Sequence, residues 1–133
     1  MIAVDTSALM AIVLGEPEGG GCIDVLEAET EVLISAGTVA EALIVAGRRN
    51  IGGEMSGLIA GLGFTVVPIS AAVARRIALA YARWGRGVHP AGLNFGDCFA
   101  YALADEHACP LLYVGEDFAR TDLAAARTMR DNG

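Results

Sequence analysis

The sequence predicts an α/β domain built on a mainly parallel β-sheet. Short apolar runs that end in an acidic or turn-forming residue alternate with longer segments whose apolar residues recur at helical spacing. The chain has 133 residues, the length of one domain, and contains no internal repeat, low-complexity tract or linker. We therefore expect a single domain over residues 1–133.

Four short apolar runs are the predicted strands, at residues 2–5, 32–34, 64–67 and 111–114. Apolar runs of this length, bounded by turn residues, are typical of buried strands in a parallel sheet. The third run is accordingly expected to be a buried strand that follows a helix.

Helical spacing of apolar residues predicts six helices among these strands. The first starts at Thr6 or Ser7 and ends before Gly15, and the third starts at Ser35 or Thr38. The others are expected at about residues 18–28, 53–62, 71–84 and 95–107. Asn94 is the predicted N-cap of the last helix, after a glycine-punctuated loop at residues 85–92.

The uncharged stretch at residues 55–74 is as long as a membrane span, which takes about 20 residues. Gly57, Gly61, Gly63 and Pro68 interrupt it, which argues against a span. The apolar N-terminal run lacks a basic leader and contains Asp5, so it is a poor signal peptide. We expect no membrane association and a cytoplasmic location.

Three cysteines, Cys22, Cys98 and Cys109, are predicted to be reduced thiols. They form no CxxC pair, have no His at zinc-ligand spacing, and as an odd number cannot all pair within the chain. Cys98 adjoins Asp97, but successive helix residues point in different directions. A buried apolar role is therefore favoured over a nucleophilic one.

The formal net charge of −7 normally counts against nucleic-acid binding, because phosphate contacts need cations. Acids that bind a divalent metal are locally neutralised, which weakens that inference. All nine basic residues are arginine, which suits bidentate phosphate recognition, although a GC-rich genome gives the same bias. The hydrophobic content of 54% and mean hydropathy of +0.50 indicate a very apolar core, an exposed apolar face, or both.

Four acidic residues stand where folding alone explains an acid poorly. Asp5 ends the first strand, Glu41 lies among apolar residues in the first turns of the third helix, Asp97 opens the last helix, and Asp117 follows the fourth strand. A structural explanation stays open for each of them. Asp5 could be a turn residue, Glu41 an exposed helix acid, Asp97 an acid favoured by the helix dipole, and Asp117 the cap of a short helix.

These four acids are expected to converge, because ligands bind outside the carboxyl ends of the strands in an open parallel sheet. Two carboxylates about 4 Å apart repel by roughly 4 kcal/mol at an effective dielectric near 20, so a cluster requires protonation or cations. Oxygen ligands without His or Cys favour Mg²⁺ or Mn²⁺. Such a site suits phosphodiester hydrolysis.

Four segments also resemble the motifs of a known family. They are residues 2–9 (IAVDTSAL), 39–41 (VAE), 94–104 (NFGDCFAYALA) and 115–122 (GEDFARTD). In this order, over nearly the whole chain, they resemble PIN-domain ribonucleases, specifically VapC-type toxins of type II toxin–antitoxin systems. The resemblance implies a three-layer α/β/α fold around a central, mainly parallel sheet of four to five strands.

The resemblance further implies an endoribonuclease that hydrolyses RNA through water activated by Mg²⁺ or Mn²⁺. It implies that the protein arrests growth until a cognate VapB-type antitoxin binds it. It also implies that the protein forms a homodimer. Catalytic and metal-binding roles carry over to Asp5, Glu41, Asp97 and Asp117. Glu116 and Asp122 are further candidates for the acidic site.

Other residues near the acids have predicted supporting roles. Thr6 or Ser7 either orients a carboxylate or metal-bound water, or caps a helix. The candidates for holding substrate phosphates, unless they are merely solvated, are Arg83, Arg86 and His89.

The apolar excess is explained if an antitoxin helix lies in a hydrophobic groove. The candidate groove residues, which otherwise face the core, are Leu9, Ile12, Val13, Ile23, Leu26 and the segment 51–62.

The alternative function is a non-catalytic PIN-like domain that binds RNA or a partner protein without cutting. It predicts that loss of any carboxylate leaves binding and toxicity unchanged. Four mutually repelling carboxylates disfavour it, because a pure binding module has no use for them. A phosphate-receiving regulatory domain is excluded, since it needs a late lysine and the chain has none.

Overall fold

The computed structural model describes residues 1–127, and the four strands in them form one parallel sheet. The strands are β1 (Ile2–Val4), β2 (Val32–Ser35), β3 (Thr65–Val67) and β4 (Leu111–Leu112), in the spatial order β3-β2-β1-β4. Ala3 in β1 pairs with Leu33 on one side and Leu111 on the other. The predicted α/β class and parallel sheet are confirmed.

Six α-helices connect these strands within the described residues. They are α1 (Thr6–Val13), α2 (Gly19–Ala28), α3 (Ala36–Arg48), α4 (Gly52–Gly61), α5 (Ala71–Trp84) and α6 (Phe95–Glu106), and a short 3-10 turn follows at Phe118–Arg120. The predicted helices are all found, with differences only at their ends. None of the helices in residues 1–127 is long and apolar enough to cross a membrane.

The sheet separates two hydrophobic cores, which makes the fold three-layered. Alternate residues of a strand face opposite sides of a sheet. Ile2 and Val4 thus pack with α1, α2, α3 and α4, whereas Ala3 packs with α5 and α6. This α/β/α arrangement agrees with the expected three layers.

The third strand is not buried, so that prediction was wrong. β3 lies at the edge of the sheet, where Thr65 is exposed and Val66 is 50% exposed. Phe64, predicted as its first residue, precedes it and packs partly buried against the core on the α1 side. Apolar composition predicted the strand but could not distinguish an edge position from a central one.

The first and fourth strands are shorter than predicted, and both end beside the start of α1. Asp5 is the N-cap of α1 instead of a strand residue. Val114, predicted to end β4, donates its N–H to Ser7 Oγ at 3.0 Å and has left the strand ladder. Both strands therefore stop where the chain turns to hydrogen-bond the start of α1.

The three cysteines are buried and free, as predicted. Burial and, to a smaller extent, the nearby Asp97 charge raise the pKa of the Cys98 thiol to about 11. Cys98 is therefore a protonated core residue at neutral pH and not a nucleophile.

The close packing of α1 on α2 yields a matched pair of glycine predictions. A Cβ at Gly19 would lie 2.7 Å from the Ala11 carbonyl oxygen, whereas a Cβ at Gly20 would meet no atom within 4 Å. We expect Gly19→Ala to lower the free energy of unfolding by about 2–3 kcal/mol through overpacking. Gly20→Ala should raise it by about 0.5 kcal/mol. Urea unfolding measures both, and equal effects of the two substitutions would contradict this packing.

Candidate active site

Asp5 is held at the carboxyl edge of β1 by the first turn of α1. Its Oδ2 accepts hydrogen bonds from Ser7 N at 3.0 Å and Ser7 Oγ at 2.6 Å. Because Ser7 Oγ also accepts from Val114 N, one hydroxyl connects Asp5 to the segment that follows β4. Ser7 thus fixes the carboxylate between two adjacent strands, as the sequence suggested for Thr6 or Ser7.

The Asp5 carboxyl is buried in an unfavourable electrostatic setting. The side chain is 3% exposed, and Oδ1 has no hydrogen-bond partner among the described residues. Burial raises the pKa of Asp5 to about 7; the Ser7 hydrogen bonds oppose this rise, and the charges of Asp97 and Glu41 add to it. A carboxylate in this position gains from a nearby cation.

Glu41 reaches the same edge from the second turn of α3. Its Oε1 accepts a hydrogen bond of 2.6 Å from Thr6 Oγ1, which joins α3 to the start of α1. Its carboxylate also lies against Gly96, where any added Cβ would overlap it. Glu41 thus occupies the space that a side chain at position 96 would need, which explains a glycine at this position.

Asp97 is fixed by a reciprocal capping box at the start of α6. Asp97 N donates to Asn94 Oδ1 at 2.8 Å, and Asn94 N donates to Asp97 Oδ2 at 3.0 Å. Burial raises the pKa of Asp97, the Asn94 hydrogen bond opposes this, and the Glu41 and Asp117 charges raise it further. The Arg86 charge lowers the pKa, so Arg86 is close enough to act on this carboxylate.

Asp117 is the exposed member of the predicted set. It occupies the N-cap position of the 3-10 turn, but its side chain makes no capping hydrogen bond. Its charge acts on Asp97. The two other candidate acids have different partners: Glu116 lies 3.7 Å from Arg120, and Asp122 accepts a 2.6 Å hydrogen bond from the Tyr101 hydroxyl.

The four predicted acids thus lie at one edge of the sheet: Asp5, Glu41 and Asp97 act on one another, and Asp117 acts on Asp97. Within residues 1–127, no three carboxylate, imidazole or thiolate groups converge closely enough in this arrangement to enclose a metal ion. The unpartnered, buried Asp5 Oδ1 and the neighbouring like charges still fit a cation. Because the donors are all oxygens, the residue types suit Mg²⁺ or Mn²⁺.

Among the predicted phosphate ligands, His89 is occupied by the loop itself. Its Nδ1 accepts from Ala91 N at 3.0 Å, and its ring packs edge-on against Trp84 with the ring centroids 4.6 Å apart. Arg83 and Arg86 are both exposed. Of the three, Arg86 is the one whose charge acts on an acid of the site.

The predicted antitoxin groove is divided between core and surface: in the segment 51–62 Met55 is buried, whereas the other residues are half-buried or exposed. Leu9 and Leu26 are buried and Ile12 and Val13 half-buried, whereas Ile23 is 39% exposed. A different apolar recess of about 370 Å³ lies between α3 and α6, beside the acids. Its lining includes Glu41, Ile44, Phe95, Gly96 and Phe99. Sequence reasoning missed it because the recess forms between two helices that are distant in the chain.

Gly96 was also missed, and so was the role of Ser7 as a bridge. The only signal for Gly96 was a glycine in the first turn of a helix, a poor helix former next to an acid. The Ser7 bridge joins residues 107 positions apart in the chain, which no local pattern predicts.

Removing the Ser7 hydroxyl tests the bridge. Ser7→Ala leaves Asp5 Oδ2 with one hydrogen bond fewer and Val114 N without its acceptor. We expect the free energy of unfolding to fall by about 1–3 kcal/mol. Ser56→Ala, at an exposed position on α4, is the matched control and should change it by less than about 0.5 kcal/mol. Chemical denaturation at pH 6 distinguishes them, and equal values would exclude a structural role for the bridge.

Comparison with known proteins identifies a family. A sequence model of the PIN domain matches residues 2–123. VapC ribonuclease Mb0625 of Mycobacterium bovis is 39% identical over 131 residues, which cover 96% of this chain and 98% of that protein. Ribonuclease VapC36 of Mycobacterium tuberculosis is 41% identical over 126 residues, covering 90% of this chain and 89% of the relative.

Solved structures share the fold at lower sequence identity. The crystal structure of VapC20 of Mycobacterium tuberculosis, a toxin that cleaves the sarcin-ricin loop, superposes with a TM-score of 0.78 at 16% identity, covering 96% of this chain and 100% of that one. A toxin–antitoxin complex from Klebsiella pneumoniae gives a TM-score of 0.68 at 21% identity, with coverage of 92% and 93%.

Proposed function

Since this chain belongs to the PIN-domain family and, within it, to the VapC ribonucleases, we propose that it is a metal-dependent endoribonuclease toxin of a VapBC-type toxin–antitoxin module. The relatives carry the ribonuclease name at about two-fifths identity over nearly their whole length. Asp5, Glu41, Asp97 and Asp117 are the proposed catalytic and metal-binding residues.

The observation that carries the metal dependence is the state of Asp5. A nearly inaccessible carboxyl with one unpartnered oxygen, close to two other acids, costs stability unless a cation or a proton neutralises it. Asp5 and Asp97 would hold Mg²⁺ or Mn²⁺, with Glu41 and Asp117 completing or neutralising the site. When bound there, the ion would lower the pKa of water and help to stabilise the charge that grows on the phosphate.

The chain's own residues supply the positioning. Ser7 holds one oxygen of Asp5, Thr6 holds one oxygen of Glu41, and Asn94 holds one oxygen of Asp97. Three carboxylates from three elements therefore keep fixed positions. Because these carboxylates are already in position, they do not have to be reoriented during the reaction. Arg86, whose charge acts on Asp97, is the proposed ligand of a non-bridging phosphate oxygen of the substrate.

The proposed partners are an RNA substrate, a VapB-type antitoxin and a second copy of this chain in a homodimer, and the proposed location is the cytoplasm. Structural neighbours described as a toxin–antitoxin complex and as VapBC2 of Rickettsia felis bound to promoter DNA support the antitoxin. The apolar recess between α3 and α6 offers one surface for a protein partner.

Cleavage of cellular RNA tests the function. Purified protein should cut total RNA at discrete sites with Mg²⁺ or Mn²⁺ and stop with EDTA. Asp97→Asn should reduce the rate by roughly a thousandfold, about 4 kcal/mol of transition-state stabilisation. Asp24→Asn, at an exposed position on α2, removes the same charge away from the site and should leave the rate unchanged.

Contaminating nuclease is controlled by purifying all variants identically. If wild type and Asp97→Asn cut RNA equally, the activity does not come from this site. Tight RNA binding without cleavage in the presence of bound metal would instead favour the non-catalytic PIN-like module.

A further inference from the structure

We propose that the outer groove between α5 and α6 binds the phosphate backbone of RNA and extends the substrate site away from the acids. The proposal rests on the proposed nuclease function and adds a binding surface to it. We call this surface the α5–α6 groove and define its cationic part by Arg75, Arg76 and Arg83.

The groove concentrates positive charge in an acidic protein. It is a recess of about 530 Å³ whose lining includes these three arginines and a single acid, Asp105. The whole chain has nine basic residues and a net charge of −7. One third of its cations therefore line one recess, and the local balance is opposite in sign to that of the chain.

The cations form a track that begins at the candidate active site. Arg86 is close enough to Asp97 to act on it, and it follows α5 by two residues. Arg83 and Arg76 lie seven residues apart on α5, hence on one face and about 10 Å apart along the axis. The track thus leads from the acids along α5.

The opposite wall of the groove also starts from the active site. Asp97, Tyr101 and Asp105 follow one another at intervals of four residues along α6, so they lie along one side of that helix. Tyr101 and Asp105 line the groove. The acid at the start of α6 and the wall of the groove therefore belong to the same side of one helix.

The arginines are available to a ligand. Neither Arg75 nor Arg76 forms an ion pair within residues 1–127. Arg83 lies 3.7 Å from Asp122, but their side chains are 65% and 46% exposed, and such surface pairs contribute little stability. The Arg83 guanidinium also lies 4.6 Å from the centre of the Trp84 ring, which limits its rotamers while leaving its N–H groups to bind an anion.

The placement of these cations along one groove favours a nucleic-acid backbone over an acidic protein. A polynucleotide presents charges at regular intervals, and each contact with a cation releases a condensed counterion. Continuity with the hydrolytic acids points to the same ligand, because the strand being cut must leave the site on either side. An acidic protein partner is the other outcome of the test.

The test compares two double substitutions that remove equal charge. Arg75→Gln/Arg76→Gln alters the groove, and Arg48→Gln/Arg49→Gln alters a second exposed Arg-Arg pair at the end of α3. Both are made in the Asp97→Asn protein, and binding of a fluorescent single-stranded RNA is measured by anisotropy between 50 and 300 mM KCl. Thermal melts check that both variants remain folded.

We expect the groove variant to bind about tenfold more weakly at low salt. The slope of log Kd against log salt should fall by about 1.4 relative to the parent, because each lost phosphate contact on single-stranded RNA removes about 0.7. The α3 variant should keep the parent slope. Arg75→Lys/Arg76→Lys should restore most of the slope, since it restores the charges.

Equal slopes for the groove and α3 variants would overturn the proposal and leave the groove as a surface for some other partner. A cleavage assay separates failure of the groove proposal from failure of the nuclease. It uses the same double substitutions, made in the protein that retains Asp97. If wild type cuts RNA and the groove variant keeps its KM, the nuclease stands and the groove proposal falls. If wild type binds RNA through the groove but never cuts it, the nuclease falls and the groove proposal stands.

Discussion

Asp5→Asn is expected to stabilise the metal-free protein at pH 8 while abolishing RNA cleavage. The pKa of Asp5 is about 7 in the folded protein, against an ordinary value of 3.8. The folded state therefore retains a proton that the unfolded chain loses. The stability due to neutral Asp5 is complete below about pH 4 and is lost as the pH rises through 7.

The asparagine avoids this loss, because it is neutral at every pH and keeps an oxygen that can accept from Ser7. At pH 8 we expect a gain of about 2–4 kcal/mol, since one pKa unit corresponds to 1.36 kcal/mol. In a protein of this size that is roughly 7–14 °C in Tm. Calorimetry in EDTA at pH 5 and pH 8 measures the change in Tm. We expect Asp5→Asn to raise Tm only at pH 8.

Asp24→Asn is the matched control and should shift Tm by less than about 2 °C at either pH, as surface substitutions usually do. The opposite changes in stability and activity are typical of active-site residues held in unfavourable surroundings. If Asp5→Asn lowers Tm at pH 8, the carboxylate is satisfied as it stands and the site needs no cation.

Gly96→Ala is expected to lower cleavage by about a hundredfold without unfolding the protein. A Cβ at Gly96 would overlap the Glu41 carboxylate, so Glu41 must move and release Thr6 Oγ1. A carboxylate displaced by about 1 Å in an active site costs on the order of 10² in rate. Single-turnover cleavage of a defined RNA measures the effect.

Gly57→Ala is the control, because a Cβ at Gly57 on α4 meets no atom within 4 Å. Gly57→Ala should keep full activity and gain about 0.5–1 kcal/mol of stability from helix propensity. Gly96→Ala/Glu41→Ala should be no less active than Glu41→Ala alone, since the clash is then absent. Full activity of Gly96→Ala would show that Glu41 does not act from its observed position.

Local signals in the sequence predicted most helix boundaries. Ser35, one of the two residues predicted to start the third helix, and Asn94, the predicted N-cap of the last, each accept a backbone hydrogen bond there. Gly85 ends α5, and Pro17 follows the end of α1. These boundaries depend on groups within four residues, so the sequence contains the information.

Properties that depend on distant groups were not predictable. The exposure of β3 depends on strand order, and the shortness of β4 depends on a hydrogen bond from Val114 to Ser7. Likewise, Gly96 matters because α3 carries Glu41 into contact with α6. The acids themselves were found because the ends of parallel strands share one edge, a rule that holds for any such sheet.

Direct titration of Mn²⁺ tests most directly whether the acidic cluster holds a metal. Isothermal calorimetry at pH 7 should show saturable binding to wild type and to Asp24→Asn. Binding should be lost in Asp5→Asn and Asp97→Asn, and wild-type binding should release protons in proportion to the fraction of protonated Asp5, as comparison of two buffers reveals. No saturable binding to wild type, or equal binding to all four proteins, would contradict the account.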